Sequence, residues 1–241
     1  MQLRRASPVA GRYVLLEQIG AGGAGTVHRA RDLRTRRDVA AKVVRGADPD
    51  RLLDLVREQA HRIEHPHVLS PLGWAAEDDI ALIAMELVPG GSVRDLLARR
   101  GPLPEPLVAH LLAQLLDALA AVHARGIVHG DVKPANLLVR DGPRPHLLLA
   151  DFGVARHAGR PAPVVGTPSF LAPERLAGAP PDPSQDVYAA GLVARRALAG
   201  HAALLTLCDS MTRTEAARRP TAAAALRRLG ELTARCWTPG W

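Results

Sequence analysis

The stretch His129-Gly130-Asp131-Val132-Lys133-Pro134-Ala135-Asn136 decides how this chain is interpreted. It places an aspartate and an asparagine five positions apart, and Asp151-Phe152-Gly153 follows after a short apolar segment. A carboxylate can accept the proton of an attacking hydroxyl, and carboxylate and amide oxygens are ligands that Mg²⁺ accepts. The pattern indicates a phosphoryl-transfer site with Asp131 as the base and Lys133 as a charge neutraliser. Asn136 and Asp151 would hold the metal.

A glycine-rich segment lies far upstream of this stretch. The sequence from Gly20 to Val27 fits the pattern G-x-G-x-x-G-x-V, in which missing side chains let backbone amides approach phosphate oxygens. Residues 26–30 after it are strand-like, whereas a dinucleotide-binding fold would continue as a helix. A nucleotide-binding hairpin is therefore predicted, and a plain glycine turn is the alternative. The predicted contacts are Ile19, Gly20, Ala21, Gly22, Gly23, Ala24, Gly25 and Val27.

Lysine is rare in this chain. Only Lys42 and Lys133 occur among 31 lysines and arginines, and each lies in one of the segments expected to handle phosphate. A slim ammonium and a broad guanidinium meet a phosphate with different geometry, so the exchange is not neutral. Lys42, in the run 39–42, is predicted to bind nucleotide phosphates if a carboxylate orients it. Glu58 is the candidate, with Asp54 as its rival and a solvated helix face as the alternative.

Composition limits the possible classes of protein. The chain has 241 residues, 47% of them apolar, and a net charge of +7, but its arginines are scattered and only 3% of residues are aromatic. Such a chain can bury a core, and it lacks the basic runs and stacking residues typical of nucleic-acid binding. Two cysteines are too few for a disulfide framework. We expect a cytoplasmic protein that binds neither nucleic acid nor membrane, with the apolar stretch 107–122 forming a buried helix.

The order of patterns predicts an α+β chain. Strands are expected at 13–19, 26–30, 38–44 and 80–87, with one helix at 51–63. Later segments are mostly helical, apart from a hairpin formed by 137–139 and 147–150. We predict a tail at 1–11, a small sheet-rich lobe at 12–88 for nucleotide binding, and a larger helical lobe at 89–241 for catalysis.

Together these motifs resemble the eukaryotic-type Ser/Thr protein kinases of bacteria, over about residues 12 to 230. The segment 166–174 is similar to the end of their activation segment, and 186–191 to their buried central helix. The resemblance implies a two-lobed kinase fold, transfer of the ATP γ-phosphoryl group to protein hydroxyls, and Mg²⁺ or Mn²⁺ as the metal. It also implies that Arg219 pairs with Glu174.

The resemblance assigns further residues. Thr167, together with Lys133, favours serine or threonine acceptors over tyrosine. Met85 corresponds to the residue at the back of the adenine pocket, and the backbone of Glu86 to Val88 to the hinge that binds adenine. Ala40 joins these cofactor contacts. Glu58 corresponds to the partner of Lys42, although the helix carrying it is about two residues shorter than in the family, which turns the side chain by roughly 200°.

Three departures affect regulation and substrate binding. Gly130 stands where the family usually has an arginine that binds an activation-loop phosphate, and residues 154–165 contain no Ser, Thr or Tyr. We therefore predict activity without phosphorylation of the activation loop. The region 200–219 is shorter than in the family, where it includes a docking helix, so the protein substrate is not assigned. The sequence assigns no oligomeric state.

Two other functions compete with this interpretation. The run His129-Gly130-Asp131 also fits small-molecule phosphotransferases of the aminoglycoside type. The short helix and the missing docking helix would suit a pseudokinase that binds nucleotide and a partner protein. Lys133-Pro134 and the segment 167–174 favour the protein kinase over the first. The presence of Lys42, Asp131, Asn136 and Asp151 favours it over the second.

Overall fold

A computed structural model of the chain describes residues 7–22, 25–46, 63–140, 142–200 and 203–236. The chain divides into two compact units. The sheet unit consists of the residues up to 64 together with 69–88, and the helical unit consists of 65–68 and the chain from 89 onward. The helix predicted at 51–63 lies outside the described residues except for Ile63.

The sheet unit contains a five-stranded antiparallel sheet. Its strands are β1 (Tyr13–Gly22), β2 (Gly25–Asp32), β3 (Arg37–Arg45), β4 (Gly73–Glu77) and β5 (Ile80–Glu86), in the order β1-β2-β3-β5-β4. The four predicted strands are confirmed. β4 was not predicted, because it is a short edge strand in which only Ala75 is buried, so its sequence lacks the apolar alternation of a half-buried strand.

The two faces of this sheet have different roles. One face packs into the apolar core of the unit, whose buried residues are Val9, Tyr13, Ala30, Val39, Ala41, Val43, Ala75, Leu82 and Ala84. Successive side chains of a strand point to opposite faces, so the intervening residues of β3 belong to the other face. These are Ala40 and Lys42, which are opposite Met85 and Val27 respectively.

The helical unit contains six α-helices within the described residues. They are α1 (Val93–Arg100), α2 (Glu105–His123), α3 (Pro173–Leu176), α4 (Pro183–Ala197), α5 (Leu204–Met211) and α6 (Ala222–Cys236). Ser92 caps α1: its hydroxyl accepts from Asp95 N–H, and the Asp95 carboxylate accepts from Ser92 N–H, which satisfies two otherwise unpaired donors.

Two short strand pairs lie among these helices. β6 (Ile127–Val128) pairs with β9 (Arg156–His157), and β7 (Leu137–Arg140) pairs with β8 (His146–Leu149) in the predicted hairpin. A 3₁₀ turn at Pro134–Asn136 leads directly into β7. These pairs fix both ends of the segments that carry Asp131 and Asp151.

Helix α2 is the one helix in the described ranges that is long and apolar enough to cross a membrane. It packs against α4, α6 and β8, and its central residues Leu115, Leu116 and Leu119 are buried. The core helix of a globular domain passes the same test of length and composition as a membrane span. The packing of α2 agrees with the buried helix that the sequence predicts for 107–122.

Candidate active site

The Asp131 carboxylate is the centre of a hydrogen-bond network in the helical unit. Lys133 Nζ lies 2.6 Å from Asp131 Oδ2. Both the backbone N–H and the hydroxyl of Thr167 donate to Oδ1, at 3.0 and 2.9 Å. The Thr167 hydroxyl in turn accepts from Lys133 Nζ at 2.9 Å. The structure thus brings three predicted catalytic residues together at one carboxylate.

Asn136 completes this network and leaves a metal ligand available. Its amide nitrogen donates to the backbone oxygen of Asp131 at 2.9 Å and to Oδ2 at 3.1 Å. Because the nitrogen is engaged, the amide oxygen remains as an acceptor, and oxygen is the ligand that Mg²⁺ requires. The Asn136 side of the site therefore fits a divalent cation.

The second predicted metal ligand is held close to the first. Ala150 N–H donates to the Asn136 carbonyl at 2.9 Å, and Asp151 is the next residue. Asp151 has φ 68°, in the left-handed region that residues other than glycine rarely adopt. Such a conformation persists only where surrounding contacts impose it, and it is common at functional sites. The described residues include no cluster of three or more His, Cys, Asp or Glu side chains suited to a metal ion.

His129 connects the segment that carries Asp131 to the segment that carries Asp151. Asp131 N–H donates to its Nδ1 at 3.2 Å, so Nε2 donates to the Ala150 carbonyl at 3.0 Å. Its ring also meets the Phe152 ring edge-on, with centroids 4.7 Å apart. The imidazole is fully buried. It therefore fixes the catalytic loop, residues 129–136, against Ala150 and Phe152, which flank Asp151.

Asp186, at the start of α4, anchors the catalytic loop from the core. Its carboxylate accepts from the N–H groups of His129 and Gly130 at 2.8 and 2.9 Å, and it lies 2.9 Å from His123 Nε2. Burial alone would raise the pKa of Asp186, but its hydrogen bonds and the nearby imidazoles outweigh burial and lower the pKa. The sequence pattern predicts that Asp186 lies in a buried helix, but it does not indicate this positioning role.

Gly166 allows the activation segment to approach the catalytic loop closely. Its φ is 112°, and a Cβ atom there would lie 2.7 Å from the Gly130 carbonyl oxygen. Only glycine fits this conformation and this distance. The close approach places the next residue, Thr167, on the Asp131 carboxylate.

The residues predicted to bind the nucleotide lie in the sheet unit. Gly20 is opposite Val27 across β1 and β2, and Val27 is opposite Lys42 across β2 and β3. Directly opposite residues share a face, so these three lie on the face away from the core. Lys42 is 7% exposed. This arrangement suits an adenine ring and phosphates lying along the glycine-rich hairpin.

Other predicted contacts differ in how far the structure describes them. Ala40, Met85 and Val88 are buried, Glu86 is half-buried, and Ile19 is exposed. Gly22 and Gly25 pair at the end of the hairpin, and a Cβ at Gly25 would clash with the Val43 carbonyl oxygen. Ala21 lies opposite Thr26. The remaining predicted positions, Gly23, Ala24 and Glu58, lie outside the described residues, as does Asp54.

The pairing of Arg219 with Glu174 is confirmed. The guanidinium donates two bonds to the carboxylate, at 2.7 and 2.8 Å, and the Arg219 side chain is fully buried. A bidentate pair of this kind fixes orientation as well as distance. Helix α3, which carries Glu174, is therefore tied to the segment that precedes α6.

Comparison with known proteins identifies the family. Residues 13–219 match the model for the protein kinase domain, so the chain belongs to the protein kinase family. It is 37% identical over 208 residues to the serine/threonine-protein kinase PkaA of Streptomyces coelicolor, and this match covers 77% of the chain and 38% of the relative. It is 35% identical over 200 residues to PknL of Mycobacterium tuberculosis, covering 79% of the chain and 50% of the relative.

A third relative gives the same result. PknB of Mycobacterium leprae is 35% identical over 204 residues, covering 78% of the chain and 32% of that protein. All three relatives are named as serine/threonine-protein kinases of bacteria, in agreement with the resemblance drawn from the motifs. The matches cover 32% to 50% of the length of these relatives.

Proposed function

We propose that this chain is an ATP-dependent protein serine/threonine kinase whose activity does not require phosphorylation of its activation loop. The observation that carries the proposal is the network of Asp131, Lys133 and Thr167. It places a carboxylate base, an ammonium and a backbone amide around one position. Phosphoryl transfer needs this arrangement, because the acceptor hydroxyl must be aligned and the charge on the moving group neutralised.

In the transfer, the acceptor oxygen forms a bond to the γ-phosphorus, the bond to the β–γ bridging oxygen breaks, and the hydroxyl proton passes to Asp131. Lys133 lies 2.6 Å from Asp131 and can stabilise the negative charge that develops. Bound Mg²⁺ or Mn²⁺ would neutralise phosphate charge, with Asn136 and Asp151 as its protein ligands. Lys42, beside Val27 on the sheet face away from the core, would orient the nucleotide phosphates.

Independence from activation-loop phosphorylation is supported by the residues that are present. A phosphate would need a hydroxyl to carry it and an arginine to bind it. Residues 154–165 offer no such hydroxyl, and Gly130 offers no guanidinium. Thr167 already bonds Asp131, so the catalytic contact forms without a modification.

The proposed substrates are proteins with accessible serine or threonine hydroxyls. We propose no nucleic-acid or membrane partner. We propose a cytoplasmic location, because ATP is available in that compartment. We assign no oligomeric state.

Incubation with γ-labelled ATP and Mg²⁺ tests this function. The purified chain, pretreated with phosphatase, should transfer label to generic protein acceptors, and the label should be found on serine and threonine. Asp131→Asn and Asp151→Asn should each abolish transfer. Asp209→Asn is the matched control, because Asp209 is an exposed carboxylate that pairs with Arg195. Mn²⁺ in place of Mg²⁺ should also support transfer.

Other results would favour the two competing functions. ATP binding without transfer to any acceptor would indicate a pseudokinase scaffold. Transfer to aminoglycosides but not to proteins would indicate a small-molecule phosphotransferase. Transfer only after phosphorylation of Thr167 or Ser169 would contradict independence from activation-loop phosphorylation.

A further inference from the structure

Arg175, in α3, is a buried arginine whose charge is not paired with a carboxylate among the described residues. It is 4% exposed, and its hydrogen bonds all go to backbone carbonyls. Nη1 donates to Ala179 at 2.7 Å and to Ala162 at 3.3 Å, and Nη2 donates to Ala162 at 3.3 Å and to Pro163. A guanidinium can make this set of bonds because its donors form a rigid planar fork.

Burying a charge costs free energy unless it is paired and hydrogen-bonded, so the four bonds to carbonyls offset part of the cost of burying Arg175. Burial lowers the pKa of Arg175, but the guanidinium remains charged at neutral pH. Hydrogen bonds from a charged donor are also stronger than neutral ones. The site therefore concentrates strong donors on two consecutive carbonyls of the activation segment.

The part of the activation segment that Arg175 contacts has little other support. Residues 160–165 form no helix or strand, and Pro161 and Pro163 have no N–H to donate. Upstream, Ala158 and Gly159 N–H groups bond the carbonyls of Gly126 and Pro181. Between Gly159 and Thr167, Arg160 N–H bonds the His157 carbonyl within the segment, and the Arg175 side chain donates to the Ala162 and Pro163 carbonyls from α3.

The helix that carries Arg175 is itself fixed. The preceding residue, Glu174, makes the bidentate pair with Arg219, whose side chain is fully buried. Gly130 and Arg175 line the same cavity, together with Val154 and Val165. The guanidinium thus lies at the cavity where the family's phosphate-binding arginine is missing.

We propose that Arg175 is a positioning residue that holds the activation segment in its ordered conformation, in place of an activation-loop phosphate. This inference rests on the proposed kinase function and adds the device that makes phosphorylation unnecessary. In phosphate-dependent ordering, an arginine binds a phosphate on the segment. Here the arginine comes from α3 and binds the segment's own carbonyls, so the activation segment is ordered without a modification.

Two variants and a control test this role. Arg175→Met removes the donors while keeping a long side chain, and Arg175→Lys keeps the charge but loses the planar fork. Arg195→Met is the control, since Arg195 is exposed and pairs with Asp209 on the surface. Elastase, which cleaves after small apolar residues, reports on order at Val164 and Val165. Kinetics with a protein acceptor report on catalysis.

The expected result separates positioning from general stability. Arg175→Met should be cleaved at 164–165 about tenfold faster than wild type or more, because charge-assisted bonds are lost. Its KM for the protein acceptor should rise by a similar factor, while its KM for ATP stays within twofold. Arg175→Lys should lie between, and Arg195→Met should match wild type. Phosphatase treatment should not change cleavage of the wild type.

Wild-type cleavage and acceptor KM in Arg175→Met would overturn the inference, as would faster cleavage of wild type after phosphatase treatment. If Arg175→Met does not fold, Arg175→Lys decides: faster cleavage supports the role and an unchanged rate overturns it. A wild-type chain that transfers no phosphate would contradict the proposed function. The cleavage comparison would then still decide whether Arg175 orders the segment.

Discussion

Lys42 lies in the middle of a buried strand, where its length and shape are fixed by neighbours on β2 and β5. It is opposite Val27 on one side and Ile83 on the other, and only 7% of it is exposed. A broader guanidinium presents its charge with a different geometry from a slim ammonium. The residue therefore offers a sharp test of the nucleotide site in the sheet unit.

We predict that Lys42→Arg lowers kcat/KM for ATP by roughly tenfold to a hundredfold, the loss expected for a misplaced charge-assisted bond. The measurement is steady-state kinetics with ATP varied at a fixed protein acceptor. Arg45→Lys, the reverse exchange at the exposed end of β3, should leave the value unchanged. Full activity in Lys42→Arg would show that Lys42 does not bind the phosphates.

Gly166 gives a second test at the level of one residue. Gly166→Ala would put a Cβ 2.7 Å from the Gly130 oxygen and would hold alanine at φ 112°. We expect a loss of about 1–3 kcal/mol in unfolding free energy, the usual cost of such backbone strain. Kinase activity should also fall, because Thr167 loses its hydrogen bonds to Asp131.

The control for this change is Gly178→Ala. Gly178 has φ 89°, but no atom lies within 4 Å of its added Cβ, so it bears the backbone cost without the clash. Chemical denaturation and kinetics should be measured for both variants. Equal activity loss in the two would mean that the approach of Gly166 to Gly130 is not what positions Thr167.

Helix α4 anchors the catalytic loop through Asp186, whose carboxylate accepts from the His129 and Gly130 N–H groups. The folded state lowers the pKa of this carboxyl below its unfolded value of about 3.9. Its contribution to stability is therefore complete above the unfolded pKa and is lost as the pH falls through the folded pKa. Acid should thus loosen the catalytic loop from the core.

We predict that Asp186→Asn destabilises the chain by about 3 kcal/mol at neutral pH, as expected when one partner of a buried charged network is removed. The difference in stability from wild type should shrink as the pH falls below about 4. Urea denaturation between pH 7 and pH 3 measures both effects. Asp209→Asn, an exposed pair, should change stability little at any pH. A constant difference across this range would contradict the assigned pKa direction.

Some elements of the fold could be predicted from the sequence and others could not. The glycine-rich hairpin, the start of α2 and the β7–β8 hairpin were predictable, because local turns, prolines and apolar alternation specify them. β4 was missed because its pairing with β5 is what makes it a strand, and Trp74 on it is exposed. Tertiary pairing of this kind leaves no local pattern.

The candidate site divides in the same way. Asp131, Lys133, Asn136 and Asp151 could be named from the motifs, because phosphoryl transfer needs a base, a cation and metal ligands and the motifs supply these residue types together. Arg175 and His123 could not, because their roles depend on contacts with residues far along the chain. Arg175 could have been noticed only as an arginine directly after the Ala-Pro-Glu segment, a position with no chemical requirement of its own.

At the scale of the whole molecule, nucleotide binding should increase the stability of the folded chain. A ligand that binds only the folded state adds about 2.7 kcal/mol at a concentration of a hundred times its Kd. We predict that ATP with Mg²⁺ raises the melting temperature more than ATP with a chelator does. In Asp151→Asn the Mg²⁺-dependent part of the shift should be lost, while the ATP-dependent part remains.

This measurement needs no phosphate transfer, so it tests the metal ligands separately from catalysis. Asp209→Asn again provides the control and should keep both parts of the shift. A full Mg²⁺-dependent shift in Asp151→Asn would remove Asp151 from the metal site. Loss of the whole shift would instead show that the carboxylate is needed to bind the nucleotide itself.

The scarcity of lysine has a practical consequence for chemistry on this protein. Lys42 is almost buried and Lys133 has a side chain 25% exposed, and no other lysine competes with them for an acylating reagent. An amine-directed probe therefore has two side-chain targets, one in each unit and both at residues assigned to phosphate chemistry. Mass spectrometry of the labelled chain would measure how well nucleotide protects each amine. The degree of protection at Lys42 and Lys133 would therefore report how much of the active site is occupied by nucleotide.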